Sequence, residues 1–250
     1  SASETPRSAG VPPTAVVNRV AIVASFWLYS RVGHWYLAPL FGLVIGARAH
    51  ALGLLAHDGT HRLAVKTPWI NDFLTNVFTA WPLFVAIDKG YRPWHFQHHR
   101  LLGTCDDPEL ADYRDFEPYK GKVTWRKITG WFFLDLLGLG IGGLFKFMKA
   151  VFPSGNISSL IGPACWWGVL FGAAFFTDSM WIFYLWAWSI VSGFWAVFRI
   201  RTWTEHVGLE PAGKATSHRF SSGLLARFLF FPHNTFCHYE HHRWPRVPYY

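Results

Sequence analysis

The feature that most constrains the fold of this chain is the alternation of histidine clusters with long apolar stretches. The clusters are HDGTH from His57, HFQHH from His95 and HYEHH from His238, and His206 stands by itself between the last two. Clusters that far apart can share one site only if the intervening chain leaves and returns. The fold must therefore bury the apolar stretches without separating the imidazoles.

The composition indicates that lipid forms part of the solvent. Hydrophobic residues make up 51% of the chain and charged residues only 15%, whereas soluble domains carry about 25% charged residues. The net charge is +8, and in a membrane protein such an excess of Lys and Arg usually lies on the cytoplasmic face. A nucleic-acid partner would call for a basic stripe with few apolar spans, which this chain lacks. The three cysteines form no CxxC pair, which argues against a disulfide framework, a rubredoxin-type site or an iron–sulfur cluster.

The apolar pattern predicts an all-α integral membrane protein with four transmembrane helices arranged as two hairpins. Residues 1–15 are rich in Ser, Ala, Pro and Gly and are expected to be disordered, and residues 16–250 are expected to form a single membrane domain. A break near residues 31–34 divides the first hairpin, and a short turn at residues 177–179 divides the second. The predicted spans are approximately 16–31, 35–56, 158–177 and 180–200.

A length argument assigns two further apolar segments to the membrane interface. A spanning helix needs about 20 residues, and the 33 residues between His61 and His95 are too few for two crossings and a turn. A single crossing would place the two clusters on opposite sides of the membrane. We therefore expect residues 69–87 and 128–152 to lie at the membrane interface as helices. Together with the histidine clusters they would form a cap on one side of the membrane, and this cap would hold the metal site.

The distribution of basic residues predicts the orientation of that cap. Of the 23 Lys and Arg residues, ten lie between residues 62 and 127 and seven between residues 199 and 246, whereas Arg31 falls in a predicted loop on the opposite side. The positive-inside rule then places the histidines in the cytoplasm. In a bacterium, the membrane would be the plasma or inner membrane.

Helix geometry predicts two metal ions. Residues four apart share a helical face, so the first and last histidine of each cluster can chelate one ion. In the HxxHH clusters, His98 and His241 are turned by about 100° from their neighbours, which suits a second ion. Imidazole binds zinc, copper, iron and nickel, but nine nitrogen ligands fit a redox dinuclear iron centre better than a zinc site.

These motifs resemble the three histidine boxes of the integral-membrane fatty-acid desaturase and hydroxylase superfamily, in particular its bacterial desaturase-like members. The segment HYEHHRWPRVP from His238 is similar to the third box, as is Pro232-His233-Asn234 before it. His206 matches the extra histidine that follows the last span. The resemblance runs from about His50 to the C-terminus, and HRLLGTCDDPEL from His99 is also similar to carotenoid ketolases of the superfamily.

The resemblance implies a non-haem di-iron centre that uses dioxygen and two external electrons to abstract hydrogen from an unactivated C–H bond. A second abstraction gives an alkene, and transfer of oxygen gives an alcohol. The substrate would be a fatty acyl chain or a similar lipid. We see no electron-transfer domain, so the donor would be a separate ferredoxin, rubredoxin or cytochrome b5. By position, the implied iron ligands are His57, His61, His95, His98, His99, His206, His238, His241 and His242.

Several neighbouring residues are candidates for supporting roles. A metal-bound histidine normally donates its other N–H to a carboxylate or carbonyl, although these acids could instead pair with nearby arginines. Asn234, four residues before His238, would share its helical face and make a weak or water-mediated metal contact. His50 shares a face with the first cluster and could support the ligands or line a substrate path. The candidate acids are Asp58, Glu205, Glu240, Asp106, Asp107 and Glu109.

Two alternatives to the desaturase hypothesis stay open at this point. The same site could serve a hydroxylase or ketolase that acts on an alkyl chain, a sphingolipid or a carotenoid. More remotely, the chain could be a non-catalytic metal-binding membrane protein, although a transporter would place its ligands at mid-bilayer. His34, His218 and His233 are expected to be ordinary packed or surface residues. Arg48, inside an apolar stretch, either reaches the cytoplasmic surface or faces the interior.

Overall fold

A computed structural model describes residues 13–109, 124–152, 157–206 and 217–248. All regular elements within these ranges are helical, which confirms the all-α prediction. The helices, numbered in chain order, are α1 Pro13–Val32, α2 Ala38–Thr60, α3 Pro68–Thr75, α4 Arg92–Leu101, α5 Trp125–Leu136, α6 Ile141–Val151, α7 Ser158–Phe176, α8 Met180–His206, α9 Leu224–Leu229 and α10 His238–Arg243.

Three helical segments are long and apolar enough to cross a membrane, namely Trp35–Thr60, Ser158–Phe176 and Met180–His206. They coincide with three of the four predicted spans, and α8 extends beyond the predicted end to reach His206. Helix α1 has 20 residues but is not among them, so a crossing by the first predicted span stays a prediction. The disorder expected for residues 1–15 falls largely outside the described residues, although α1 already begins at Pro13.

Each of the two segments expected at the interface, residues 69–87 and 128–152, contains a sharp bend between two helices. The axis turns by 86° between Pro68–Leu83 and Ile87–Leu101, and by 82° between α5 and α6. Phe84 has a φ of 61° at the first bend and Gly138 a φ of 74° at the second, and positive φ interrupts a helix. Neither pair is a straight rod of spanning length. Counting each bent pair as one span would raise the candidates to five.

Helices α2 and α8 cross in close backbone contact, and this crossing forms the centre of the fold. A Cβ atom at Gly46 would meet the backbone nitrogen of Phe194, and one at Gly193 would meet the carbonyl oxygen of Gly42. Small residues allow such an approach between membrane helices, and α8 accommodates it with a π-helical turn at Ile190–Phe194. The crossing fixes the relative positions of the two helix ends that carry histidines.

The hairpin of α7 and α8 is confirmed, with its turn at residues 177–179 and a φ of 52° at Asp178. Two tryptophans of the hairpin hold the bend near α3. Trp167 Nε1 donates to the carbonyl oxygen of Trp81 at 3.2 Å, and Trp186 Nε1 donates to that of Pro82 at 3.3 Å. Because a bend frees backbone carbonyls, these donors stabilise it where water is scarce.

Arg48 faces the interior rather than the surface. Its side chain is buried, its Nη1 donates to Asn18 Oδ1 at 2.8 Å, and its guanidinium lies 3.9 Å from the ring centroid of Phe228. The amide of Asn18 is in turn 3.2 Å from Nε2 of His233. This network joins α1 and α2 to the segment that leads into the third histidine cluster.

Candidate metal centre

The structure brings all nine predicted histidines together in two groups at one end of α2 and α8. Within each group, one ring nitrogen of every member lies within 4.8 Å of those of the others, a spacing that could hold a metal ion. We call the two sets the five-histidine group and the four-histidine group. The first contains His57, His61, His95, His99 and His241, and the second contains His98, His206, His238 and His242.

Each HxxHH helix serves both groups. Helix α4 gives its i, i+4 pair to the five-histidine group and His98 to the four-histidine group. Helix α10 does the reverse, with its i, i+4 pair in the four-histidine group and His241 in the other. This division follows from the helical rotation of about 100° per residue. It agrees with the expectation that these two residues belong with a second ion, whereas their role as ligands stays a proposal.

The spacing of the ring nitrogens suits a coordination sphere. In the five-histidine group, Nε2 of His99 lies 3.0 Å from Nε2 of His95 and 3.1 Å from that of His241. In the four-histidine group, Nε2 of His238 lies 2.9 Å from that of His242. Two ligands at right angles, each about 2.1 Å from a metal, are separated by about 3.0 Å. The separations of these three pairs are those expected of neighbouring ligands on one ion.

Carboxylates lie beside the outer ring nitrogens of two of the histidines. Nδ1 of His98 lies 2.8 Å from Asp107, and Nδ1 of His238 lies 3.3 Å from Glu205. A neutral imidazole that donates its Nδ1–H keeps a lone pair on Nε2. A lone pair on Nε2 is what a metal ion takes from an imidazole, so these two rings suit the role of ligands.

The candidate acids divide into those that contact histidines and those that do not. Buried Asp58 lies 3.5 Å from Nδ1 of His57, and Asp107 and Glu205 make the contacts given above. Asp106 is exposed, and Glu240 forms an ion pair with Arg219 at 2.8 Å. Asp58, Asp107 and Glu205 are thus close enough to the histidines to play the supporting role expected of them.

One charged residue of the site was missed by the sequence reasoning. Arg201 was not considered, although it lies four residues before Glu205 on α8 and its Nε is 2.7 Å from that carboxylate. Glu109, by contrast, was one of the candidate acids, and its Oε2 lies 3.3 Å from Nε2 of His98. Glu109, Glu205 and His206 also form a set that could hold a cation. The i, i+4 spacing was the available signal for Arg201.

Burial keeps most of the rings neutral, which is the form that binds metals. It lowers the pKa of His61 to about 3 and the pKa of His99 to about 4. His98 behaves differently. Burial again favours its neutral form, but the carboxylates of Glu109 and Asp107 outweigh burial and raise its pKa.

The expected placement of Asn234 is wrong. His233 and Asn234 have φ values of 56° and 60°, so the chain is kinked there and the helix with the third cluster begins only at His238. Asn234 therefore does not share a helical face with His238, and its side chain is exposed. Two adjacent residues in the left-handed region break the helical register on which the expectation depended.

A cavity of about 60 Å³ opens beside the five-histidine group. His57 lies in its wall, and apolar side chains from α2, α6 and α8 form most of the lining, including Leu54, Phe147 and Phe198. His50 and Arg201 also line this cavity, and a role of His50 in a substrate path stays a prediction.

Comparisons with known proteins agree with this arrangement. The sequence model described as "Fatty acid desaturase" matches residues 33–250. The chain is 35% identical over 126 residues to dihydrorhizobitoxine desaturase of Bradyrhizobium elkanii, which covers 46% of this chain and 35% of that protein. It is 24% identical to sn-1 acyl-lipid omega-3 desaturase (ferredoxin) of Nostoc, covering 88% and 67%, respectively. It is also 24% identical to sphingolipid delta(4)-desaturase DES1-like of Oryza sativa, covering 96% and 70%.

Proposed function

The chain belongs to the fatty acid desaturase family, and on that premise we propose that it is an O2-dependent, non-haem di-iron membrane oxidase. Its reaction would be desaturation of a fatty acyl chain or a similar lipid. The observation that carries this proposal is the pair of histidine groups, whose rings converge beside an apolar cavity. The family supports an oxidoreductase over the remote alternative of a non-catalytic metal-binding membrane protein.

The two groups would each hold one iron ion. The nitrogen-rich donor set suits iron among the first-row metals, and the nine histidines of the two groups would be the ligands. When bound, such a pair of ions supplies oxidation of an unactivated C–H bond with dioxygen and two external electrons.

The protein's own residues would orient the ligands and exclude water. Asp107 and Glu205 would accept the Nδ1–H of His98 and His238 and so leave Nε2 of each ring to bind a metal ion. Arg201 compensates the buried charge of Glu205, which would otherwise be costly. The phenylalanine and leucine walls of the cavity would align an alkyl segment next to His57 and keep bulk water away from it.

The substrate class is supported by the cavity and only loosely by the relatives. The chain spans about a third of the first relative and about two thirds of the other two, and their names give three different substrates. The apolar lining favours an alkyl segment. We therefore propose a lipid-like substrate without assigning its length or headgroup.

Hydroxylation or ketone formation at the same site is the second candidate. It is favoured by the segment HRLLGTCDDPEL from His99, which is similar to carotenoid ketolases. In the structure this segment supplies two carboxylates, Asp107 and Glu109, that contact His98. The outcome depends on how the C–H bond is placed, which the ligand set does not determine.

Product analysis separates the two candidates. The iron-loaded chain would be reconstituted in lipid vesicles with a reductase and ferredoxin, and lipid extracts would be analysed by mass spectrometry. A product that has lost two hydrogens supports the desaturase, and a product that has gained oxygen overturns it in favour of the hydroxylase. A His95→Ala variant, which lacks one proposed ligand, is the negative control.

The electron donor and the orientation are also proposals. We infer a separate donor of the ferredoxin, rubredoxin or cytochrome b5 type, and the printed name of the Nostoc relative includes ferredoxin. Basic residues concentrated in the segments that carry the histidines would attract an acidic donor. Orientation of the site to the cytoplasm can be tested at exposed Cys105, with an impermeant thiol reagent on vesicles of known sidedness and Cys165 and Cys237 changed to Ser.

A further inference from the structure

His50, in the wall of the cavity, is a polar side chain that the metal centre does not use. His50 is only 2% exposed, and neither of its ring nitrogens has a hydrogen-bond partner among the described residues. Its ring contacts two phenylalanines, with centroid separations of 6.2 Å to Phe194 and 6.3 Å to Phe198. Because buried polar atoms are nearly always hydrogen-bonded, an unsatisfied imidazole in a cavity wall indicates a position where a ligand can bind.

The position of His50 relates it to the metal centre. It precedes His57 by two turns on the same face of α2, which places it about 10 Å further along the helix, away from the histidine groups. Both residues line the same cavity, which has room for several water-sized groups. A molecule whose alkyl segment lies beside His57 would therefore place its inner end at His50.

The charges around His50 restrict the chemistry of that inner end. The guanidinium groups of Arg201 and Arg48 both act electrostatically on the His50 ring. Arg201 is bound to Glu205, and Arg48 to Asn18. The charge of Arg201 is balanced by Glu205, whereas that of Arg48 has no acidic partner among these contacts. The Arg48 guanidinium therefore disfavours an ammonium group at this position and favours an oxygen atom with lone pairs.

We propose that His50 binds an uncharged oxygen group, a hydroxyl or a carbonyl, at the end of the substrate that lies inside the membrane. This inference rests on the proposed function, since it takes the cavity to be the substrate site. A neutral imidazole has one donor and one acceptor nitrogen, so a hydroxyl can satisfy either of them. A plain hydrocarbon would leave both unsatisfied. The substrate is therefore an oxygen-substituted chain rather than a simple alkyl tail.

Binding of two small probes, one with a hydroxyl group and one without, tests this assignment and does not require the oxidation reaction. The full chain in detergent would be unfolded thermally with 1-octanol or n-octane, since a ligand that binds the folded state raises the midpoint. One hydrogen bond predicts that the wild-type chain prefers the alcohol by roughly two- to tenfold. His50→Phe should abolish that preference, whereas His50→Gln, which keeps a donor and an acceptor, should retain part of it.

Val85→Ala is the matched control, because Val85 lines the same cavity but carries no polar group. It should weaken both probes equally. The detergent micelle takes up each probe to the same extent for every variant, so the comparison between variants reports the binding site. His50→Gln also covers the possibility that the phenylalanine variant does not fold.

The assignment is overturned if His50→Phe keeps the wild-type preference, or if neither probe raises the midpoint of the wild-type chain. The product assay decides the proposed function separately. A chain that desaturates a lipid but shows no His50-dependent preference would leave the function standing and remove this inference. A His50-dependent preference without any oxidised product would support oxygen binding at His50 and remove the proposed function.

Discussion

Arg92 and Asp72 form a two-pronged ion pair, with Nη1 and Nη2 of the guanidinium donating to the two carboxylate oxygens at 2.8 and 2.6 Å. The same guanidinium donates from Nε to the carbonyl oxygen of Thr60 at 2.9 Å and from Nη2 to that of Gly59 at 3.3 Å. One side chain thus joins α3, the first turn of α4 and the end of α2. These are the elements between which the first two histidine clusters meet.

Arg92→Lys should destabilise the protein although it keeps the charge. A lysine ammonium cannot reproduce the planar fork, so we expect a loss of about 1–3 kcal/mol in the free energy of unfolding. Thermal unfolding in detergent measures it. Arg100→Lys on the same helix is the control, because Arg100 is exposed. Equal losses in the two variants would contradict a specific role for Arg92.

The Asp72 carboxyl predicts a dependence of stability on pH. Burial alone would raise its pKa, but the hydrogen bonds from Arg92 and Asn71 outweigh burial and lower the pKa below the ordinary 3.8. A pKa depressed by folding stabilises the protein above the unfolded value, and this contribution is lost as pH falls through the folded value. The stability advantage of wild type over Asp72→Asn should therefore shrink below about pH 4. Unfolding midpoints from pH 3 to 6 would show this, and an advantage that grows on acidification would refute it.

Gly46→Ala should be strongly destabilising. The new Cβ would meet the backbone nitrogen of Phe194, and backbone cannot move aside as a flexible side chain can. We expect a loss of about 1–3 kcal/mol, as for an overpacked core. At Gly168, in α7, nothing lies within 4 Å of an added Cβ, so Gly168→Ala should be neutral or stabilise by up to about 1 kcal/mol. Thermal unfolding of both variants makes the comparison, and equal behaviour would argue against the close crossing.

His98→Ala and His241→Ala should weaken different ions. Each belongs to an HxxHH cluster, but the structure places His98 in the four-histidine group and His241 in the five-histidine group. We expect each variant to retain about one of the two ions, as measured by iron content per chain, and the optical spectra of the cobalt-substituted variants should differ. His34→Ala, at an exposed histidine outside both groups, should keep both ions. Identical spectra for the first two variants would count against the division.

Asn18→Leu should destabilise the region of the third histidine cluster. Asn18 lies before residues 33–250, which the family model matches. The change removes the partner of Arg48 Nη1 and the contact with His233. Loss of hydrogen bonds to a buried charge is expected to cost about 1.5–3 kcal/mol. Thermal unfolding and the iron content would be compared with those of Val17→Leu, a change at an exposed neighbour on α1. Unaltered stability in Asn18→Leu would show that α1 does not support the site.

Local sequence patterns predicted most of the helices and the identity of the clustered histidines. Apolar length located α2, α7 and α8, and the rotation of successive helical residues was enough to separate His98 and His241 from their neighbours. These features depend only on residues within one helix. The membrane crossing of α1 and the orientation of the site involve the bilayer, and they stay predictions.

The remaining features depend on contacts between distant segments. Periodicity does not reveal that His206 joins His98 rather than His57, because the crossing of α2 and α8 decides it. The network of Arg48 likewise requires α1 to pack beside the C-terminal segment. The error at Asn234 has a local cause, since two non-glycine residues with positive φ carry no strong sequence signal.

The sharing of α4 and α10 between the two histidine groups has a topological consequence. An ion in the five-histidine group would tie α2 to α10 and close a ring that contains most of the chain, and an ion in the other group would close a second ring through α8. Both rings run along the same two short helices, so they are fused rather than separate. Loop closure restricts the unfolded chain, and metal binding is then also folding energy. The metal-loaded polypeptide would therefore behave as a bicyclic, cross-linked chain, in which loss of one ion also weakens the binding of the other.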